Sequence, residues 1–259
     1  HAWIRENVPE DAACVTTDIT GAYAMLNVQG PNSRALLSQI SSADFTTEAF
    51  PFGTLQHIEI GYQSAMAVRI SYTGELGWEL YIPTEMALPV YDRLIETGAG
   101  LGLKHCGYHT LNTLRIEKAY REWAHDMGPL ETLLEAGLGF TCAWDKPGGF
   151  IGREALFAER EANPLKRRLG QFLLDDPEPM LVHNEPILRD RERIGYTTSA
   201  GYAHTLGACA AMGYVNHEDG VTDAFVADGS YTLEQANRTY TAKASLTPMY
   251  DPKSERTRA

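Results

Sequence analysis

Apolar positions along the chain change period several times, and each change predicts an element. Residues 22–28 form a short apolar strand, broken by Gln29-Gly30-Pro31-Asn32. Leu36, Leu37 and Ile40 then recur at helical spacing and predict a helix over Ser33–Ile40, starting at Asn32 or Ser33. Residues 55–61 and 65–72 read as strands. The second runs into Gly74-Glu75-Leu76-Gly77, flanked on both sides by β-branched and aromatic residues, which is a strand–turn–strand pattern. Thr84 is suited to cap a helix over residues 85–96, which Gly98 and Gly100 would end. Strand, helix, strands, helix predicts an α+β fold, an antiparallel sheet with helices on one face.

The pattern then becomes helical from Gly107 to about Trp123. Leu111, Leu114, Arg115 and Lys118 share one arc of that helix. An arginine facing inward calls for a carboxylate partner, so Arg115 is either half of a structural ion pair or a ligand contact. Residues 134–140 read as a glycine-punctuated strand, and residues 145–156 as a turn entering a helix that runs to about Glu161. Asn163-Pro164 marks a boundary. Short strands follow at residues 168–174, 185–188, 193–199, 208–215, 224–227 and 239–245, the spacing of a small β-barrel or sandwich of about 90 residues. Residues 251–259 read as a charged tail. The implied division is a first domain over 1–160 and a second over 166–259.

Composition narrows the partners. A net charge of −12 over 259 residues argues against nucleic acid or an anionic membrane, though not against a small substrate in a local pocket. No apolar run approaches the roughly 20 residues that cross a bilayer. Cys14, Cys106, Cys142 and Cys209 are far apart, which suggests neither a zinc site nor a disulfide framework and fits a reducing compartment. His105 and His109 have the i, i+4 spacing of a metal pair but lack the H-E-x-x-H glutamate. The chain opens on His1 with what reads like the tail of a helix, so it is expected to be the C-terminal part of something longer.

The strand–turn–strand stretch carries the candidate chemistry. A turn centred between Glu75 and Leu76 would put Tyr72 opposite Glu79, on a face shared with Val68, Ile70 and Tyr81. A carboxylate among such neighbours is costly unless something hydrogen-bonds it, and a flat heterocycle with adjacent N–H donors would do so. An ordinary surface hairpin with an exposed glutamate is the alternative. Tyr72-Thr73-Gly74-Glu75-x-Gly77-x-Glu79 resembles the folate-binding motif of the glycine-cleavage T-protein (aminomethyltransferase) family. The resemblance implies that Glu79 holds the 2-amino and N3 edge of the pterin of tetrahydrofolate and that Tyr72 lines its pocket.

Further blocks resemble the same family in order: Thr113-Leu-Arg-Ile-Glu-Lys-Ala-Tyr-Arg-Glu-Trp123, Leu134-Glu-Ala-Gly-Leu-Gly-Phe140, Asp145-Lys-x-x-x-Phe-Ile-Gly-Arg-Glu-Ala-Leu156, and Ile194 to Tyr202 with Ala211-Met-Gly-Tyr-Val215. Glu117 to Trp123, Trp144 to Phe150 and Pro248-Met-Tyr-Asp-Pro252 are most similar to the C-terminal half of dimethylglycine and sarcosine dehydrogenases. That implies an N-terminal FAD domain that oxidises an N-methyl amine. This module would then pass the one-carbon unit to tetrahydrofolate, in the cytoplasm or, in a eukaryote, the mitochondrial matrix. Trp123 and Tyr120 could line the pocket or be core, and Tyr250 is a further candidate. His125-Asp126 is either a proton relay or, more simply, a solvated turn. Leu111-Asn112 stands where the family has an Arg-Asp pair, and Leu133 where it commonly has proline. The family's catalytic aspartate falls upstream of His1, and no dinucleotide-binding glycine fingerprint is present. A truncated stand-alone aminomethyltransferase or demethylase, and a folate-binding protein without chemistry, are the competing readings.

Overall fold

The computed structural model describes residues 1–162 and 164–259, so the Asn163 half of the expected boundary lies outside the described residues. The chain divides into two compact units. One comprises His1–Ser71, Glu75–His105 and Glu255–Ala259, and the other Tyr72–Gly74 with Cys106–Ser254.

The first unit opens with a short helix, α1 (Ala2–Glu6). Strand β1 (Tyr23–Gln29) leads to helix α2 (Ser33–Ile40), then β2 (Leu55–Ile60), β3 (Gln63–Val68) and β4 (Gly77–Pro83), and finally helix α3 (Ala87–Gly98). The strands pair antiparallel in the order β1-β4-β3-β2. Period-two alternation decides which face is covered. Trp78, Leu80 and Ile82 of β4 are fully buried together with Leu37 of α2 and Val90 of α3. Each such side chain contributes roughly 1.5–3 kcal/mol on burial. Glu79 and Tyr81 therefore lie on the opposite face, half-buried.

Two expectations change here. Strand β3 ends at Val68, four residues short of Tyr72, and the register sets Val68, not Tyr72, across from Glu79. Arg69 still exchanges backbone hydrogen bonds with Gly53 and Thr54, and its fully buried side chain donates to the Phe50 carbonyl at 2.7 Å; the following residues up to Leu76 lie outside the strands. Gly74 follows in the left-handed region at φ +80°. The α3 start is also shifted, because the Thr84 hydroxyl donates to the Gly21 carbonyl instead of capping the helix.

In the second unit, helix α4 (Tyr108–Glu117) stops six residues before the predicted end. Ala119 takes φ +51°, which an α-helix does not accommodate. Residues 134–140 form turns rather than a strand. Helix α5 (Arg153–Glu161) agrees with expectation. Strands β5 (Arg167–Leu174), β6 (Pro186–Arg189), β7 (Glu192–Ala203) and β8 (Ala208–Asn216) follow. After them come helix α6 (Asp223–Ala227), β9 (Tyr231–Gln235) and β10 (Arg238–Ser245). The six strands close into a barrel in the order β10-β5-β8-β7-β6-β9. The strand expected at 224–227 is α6, since the Thr222 hydroxyl accepts from Phe225 N at 3.0 Å as an N-cap. The sixth strand is β9, whose Tyr231 and Leu233 are buried in alternation. The charged tail contains a last turn of helix, α7 (Glu255–Arg258), which belongs to the first unit.

Bare backbone is required where the barrel strands approach most closely, at Gly195 against the Tyr214 carbonyl and at Gly213. A Cβ on Gly213 would lie 2.5 Å from the Tyr196 carbonyl and 2.6 Å from Ile187 Cδ1. Gly213→Ala should therefore cost about 1–3 kcal/mol, read as a lower denaturant midpoint at unchanged slope. Gly201 lets α4 lie close, with Thr113 and Ile116 against it, and Ile116 joins Leu169, Ala210 and Met212 in a buried cluster.

Candidate functional site

The predicted site residues fall in both units, Glu79 in the first and Tyr72, Arg115, Trp123 and Tyr250 in the second. On β4, Glu79 is flanked by Asn27 of β1 and Val68 of β3. Tyr81, two residues on and on the same face, donates its hydroxyl to Glu79 Oε2 at 2.7 Å. That bond holds the Tyr81 phenol above its ordinary pKa, because ionising it would set two anions together. Glu79 Oε1 has no hydrogen bond from the described residues. Glu79 lines neither of two hollows, an open trough of about 540 Å³ along Gly148–Ala155 and a crevice of about 10 Å³ beside Gln171.

Arg115 is 1 % exposed and spends all five N–H groups on the protein. Nε donates to Asn112 Oδ1 at 2.8 Å, and Nη1 to the Tyr120 carbonyl and to Asp126. Nη2 donates to Glu122 at 2.9 Å and Ser199 Oγ at 2.8 Å. No donor is left for a ligand, so of the two readings the ion pair is the one the geometry supports. Asp126 is likewise no solvated turn: it is 1 % exposed and accepts also from Glu122 N at 2.9 Å and Thr198 Oγ1 at 2.5 Å. Thr198 reaches it because β7 bulges there, with Thr197 opposite Gly213 and Ser199 opposite Met212. The network pins the loop 120–127, in which Ala124 sits at φ +71° and donates to the Met127 carbonyl.

That loop presents Trp123 at 63 % exposure, which rules out the core role for its indole. Tyr120 stacks on Tyr72, ring centroids 6.1 Å apart and 15° from parallel. The Tyr72 hydroxyl donates to the Arg121 carbonyl at 2.9 Å, so its polar tip is already engaged. Burial pushes the Tyr72 phenol up to about 12, with Arg115 opposing and Glu122 and Asp126 adding; it stays a donor at neutral pH. Lys118, 1 % exposed, donates to Asp251 and lies 5.9 Å from the rings of both Tyr120 and Tyr250. A Cβ on Gly74 would meet Lys118 Cγ at 2.1 Å, which explains that glycine of the motif. The sequence reading missed Glu122 as a partner and the burial of Asp126. Acidic residues seven and eleven places after an inward arginine were the available signal.

Among the described residues no helix is long and apolar enough to cross a membrane, and no cluster of three metal-ligating side chains is found.

The sheet unit and the closed barrel define a class. The model of the glycine cleavage T-protein N-terminal domain matches residues 1–146, and that of its C-terminal barrel domain matches residues 167–251. The chain belongs to the glycine cleavage T-protein family. Among particular proteins, it is 39% identical over 249 residues to mitochondrial sarcosine dehydrogenase of Homo sapiens, covering 95% of this chain and 27% of the enzyme. It is 35% identical over 260 residues to the mitochondrial pyruvate dehydrogenase phosphatase regulatory subunit of Mus musculus, covering 96% and 30%. The chain thus spans less than a third of the length of these relatives. The crystal structure of glycine cleavage system aminomethyltransferase T from Bartonella henselae superposes with a TM-score of 0.72 at 21% identity, over 89% of this chain and 60% of that one.

Proposed function

We propose that this chain is the tetrahydrofolate-binding, one-carbon-transfer part of an FAD-linked dehydrogenase of N-methyl amines such as sarcosine or dimethylglycine, yielding 5,10-methylenetetrahydrofolate. The observation that carries the reading is Glu79. It is half-buried, steadied by Tyr81 on Oε2, and has Oε1 open to an outside donor. That donor demand suits the adjacent N–H groups of a pterin edge, with charge-assisted bonds on both oxygens.

When bound, tetrahydrofolate supplies the N5 amine that captures the one-carbon unit. The chain contributes recognition and positioning. Glu79 fixes the pterin edge. Trp123, Tyr72 and Tyr250 are assigned as aromatic folate contacts, Tyr72 through its ring because its hydroxyl is taken. Arg115 is reassigned from contact to positioning residue, holding the loop that carries Trp123. The catalytic aspartate and the FAD site are assigned to sequence outside this chain, so the chain alone should bind without transferring.

A second reading has a specific observation behind it: one relative of comparable identity is called a regulatory subunit, and a folate-binding part without transfer fits that name. Titration of tetrahydrofolate into this chain, followed by quenching of tryptophan fluorescence, tests the binding. One saturable site per chain is expected; no saturation by about 1 mM, an affinity of only about −4 kcal/mol, would remove the reading. One-carbon transfer by the full-length protein then separates the dehydrogenase from the binding-only reading.

A further inference from the structure

Asn27 of β1 stands directly opposite Glu79 of β4, so their side chains rise on one face with Cβ atoms about 5 Å apart. Asn27 is exposed and Glu79 half-buried. Which end of the Asn27 amide is presented follows from its neighbours. Gln29 Nε2 donates to the Ile70 carbonyl at 3.2 Å and to Asn27 Oδ1 at 2.6 Å. A carbonyl can only accept, so the nitrogen of Gln29 lies at that junction, and the Asn27 atom it meets must be the oxygen. Asn27 Nδ2 keeps both of its N–H groups, and none of the described residues accepts from it.

The Gln29 amide is itself held. Gly77 stands opposite Gln29, and a Cβ there would lie 2.3 Å from Gln29 Oε1 and 2.4 Å from its Cδ. The side chain therefore lies across bare backbone, with Oε1 buried. Turning the amide over would set that oxygen against the Ile70 carbonyl, two acceptors face to face. Gln29 thus fixes Asn27, and Asn27 puts a donor next to the acceptor Glu79.

The edge of a pterin carries the 2-amino group, N3–H and the 4-carbonyl in that order, two donors and then an acceptor. On the pterin reading of Glu79, on which this inference rests, the carboxylate meets the two donors. We propose that Asn27 Nδ2 donates to the 4-carbonyl, with Gln29 as its positioning residue, and that the two select 4-oxo over 4-amino pteridines. A 4-amino group would set its own N–H groups against those of Nδ2, a mismatch that costs affinity. Without a donor at this position the 4-carbonyl is left to water and discrimination falls.

The test is the ratio of affinities for tetrahydrofolate and its 4-amino analogue, measured by isothermal titration calorimetry. The parent should favour tetrahydrofolate by roughly tenfold or more. Part of that preference belongs to Glu79, because the 4-amino ring lacks N3–H, so the change of ratio between variants isolates Asn27. Asn27→Ala should lower the ratio about fivefold, and Asn27→Asp, which accepts instead of donating, by a further factor of about five. Gln29→Leu, which lets the Asn27 amide turn, should fall between the parent and Asn27→Ala. A ratio that stays within about twofold of the parent in both Asn27 variants, at unchanged melting temperature, would overturn the proposal. Glu79→Ala, titrated alongside, separates the two failures. If it loses affinity while the Asn27 variants keep the parent's ratio, the contact to Asn27 alone is wrong; if its affinity is unchanged, the pterin reading falls and this contact with it.

Discussion

Asp126→Ala is expected to lower the unfolding free energy by about 3–5 kcal/mol, because it strands the buried Arg115 guanidinium. Asp126 accepts from Arg115 Nη1, Glu122 N and Thr198 Oγ1, and neither charge reaches water. Glu122, only partly buried, holds the other side of the guanidinium and cannot replace all three acceptances. A change of that size corresponds to a melting point lower by roughly 10 °C in a chain of this length, measured by differential scanning calorimetry. Replacing both charges, Arg115→Met with Asp126→Leu, should recover a good part of the loss, since what destabilises is the unpaired charge and not the absence of the pair. The double variant should still bind folate more weakly, because nothing then pins the loop carrying Trp123. A melting point for Asp126→Ala within about 2 °C of the parent would show that the network is incidental.

The contrast between Arg115 and Glu79 shows what was legible in the sequence. The helical arc through Leu111, Leu114 and Arg115 placed the arginine inward, and the structure agrees. Its partners could not be read, because two depend on long-range features: the bulge at Thr198 and the early end of α4 at Ala119. Periodicity reports which face is buried, not where a helix is stopped by one residue in the left-handed region. The alternation of β4 likewise fixed Glu79 on the face away from Trp78, Leu80 and Ile82. The register against β3 was missed, since β3 ends at Val68 and the residues up to Leu76 form a longer connection than the four-residue turn the pattern suggested. The barrel strands were found from their spacing, except β9. The stretch before it looked like a strand until the Thr222 cap made it helix α6.

Glu79→Ala is expected to weaken tetrahydrofolate binding about a hundredfold or more. Two charge-assisted hydrogen bonds at about 1.5–3 kcal/mol each would be lost, of which part returns as hydration of the freed pterin edge. Folding should hardly change, because the side chain is half-buried and away from the core cluster. Tyr81 loses its acceptor, and its phenol should titrate nearer the ordinary tyrosine value. Glu79→Gln keeps the shape without the charge and should bind only slightly better than the alanine variant.

Affinity loss alone does not show which atoms meet. The direct measurement is a thermodynamic cycle by isothermal titration calorimetry: parent and Glu79→Ala, each against tetrahydrofolate and an analogue lacking the 2-amino group. Paired groups give strongly non-additive losses, and independent ones add. The parent should lose roughly tenfold or more when the amino group is removed, while Glu79→Ala should lose almost nothing further. An equal loss in both proteins would mean that the carboxylate of Glu79 does not hold the pterin.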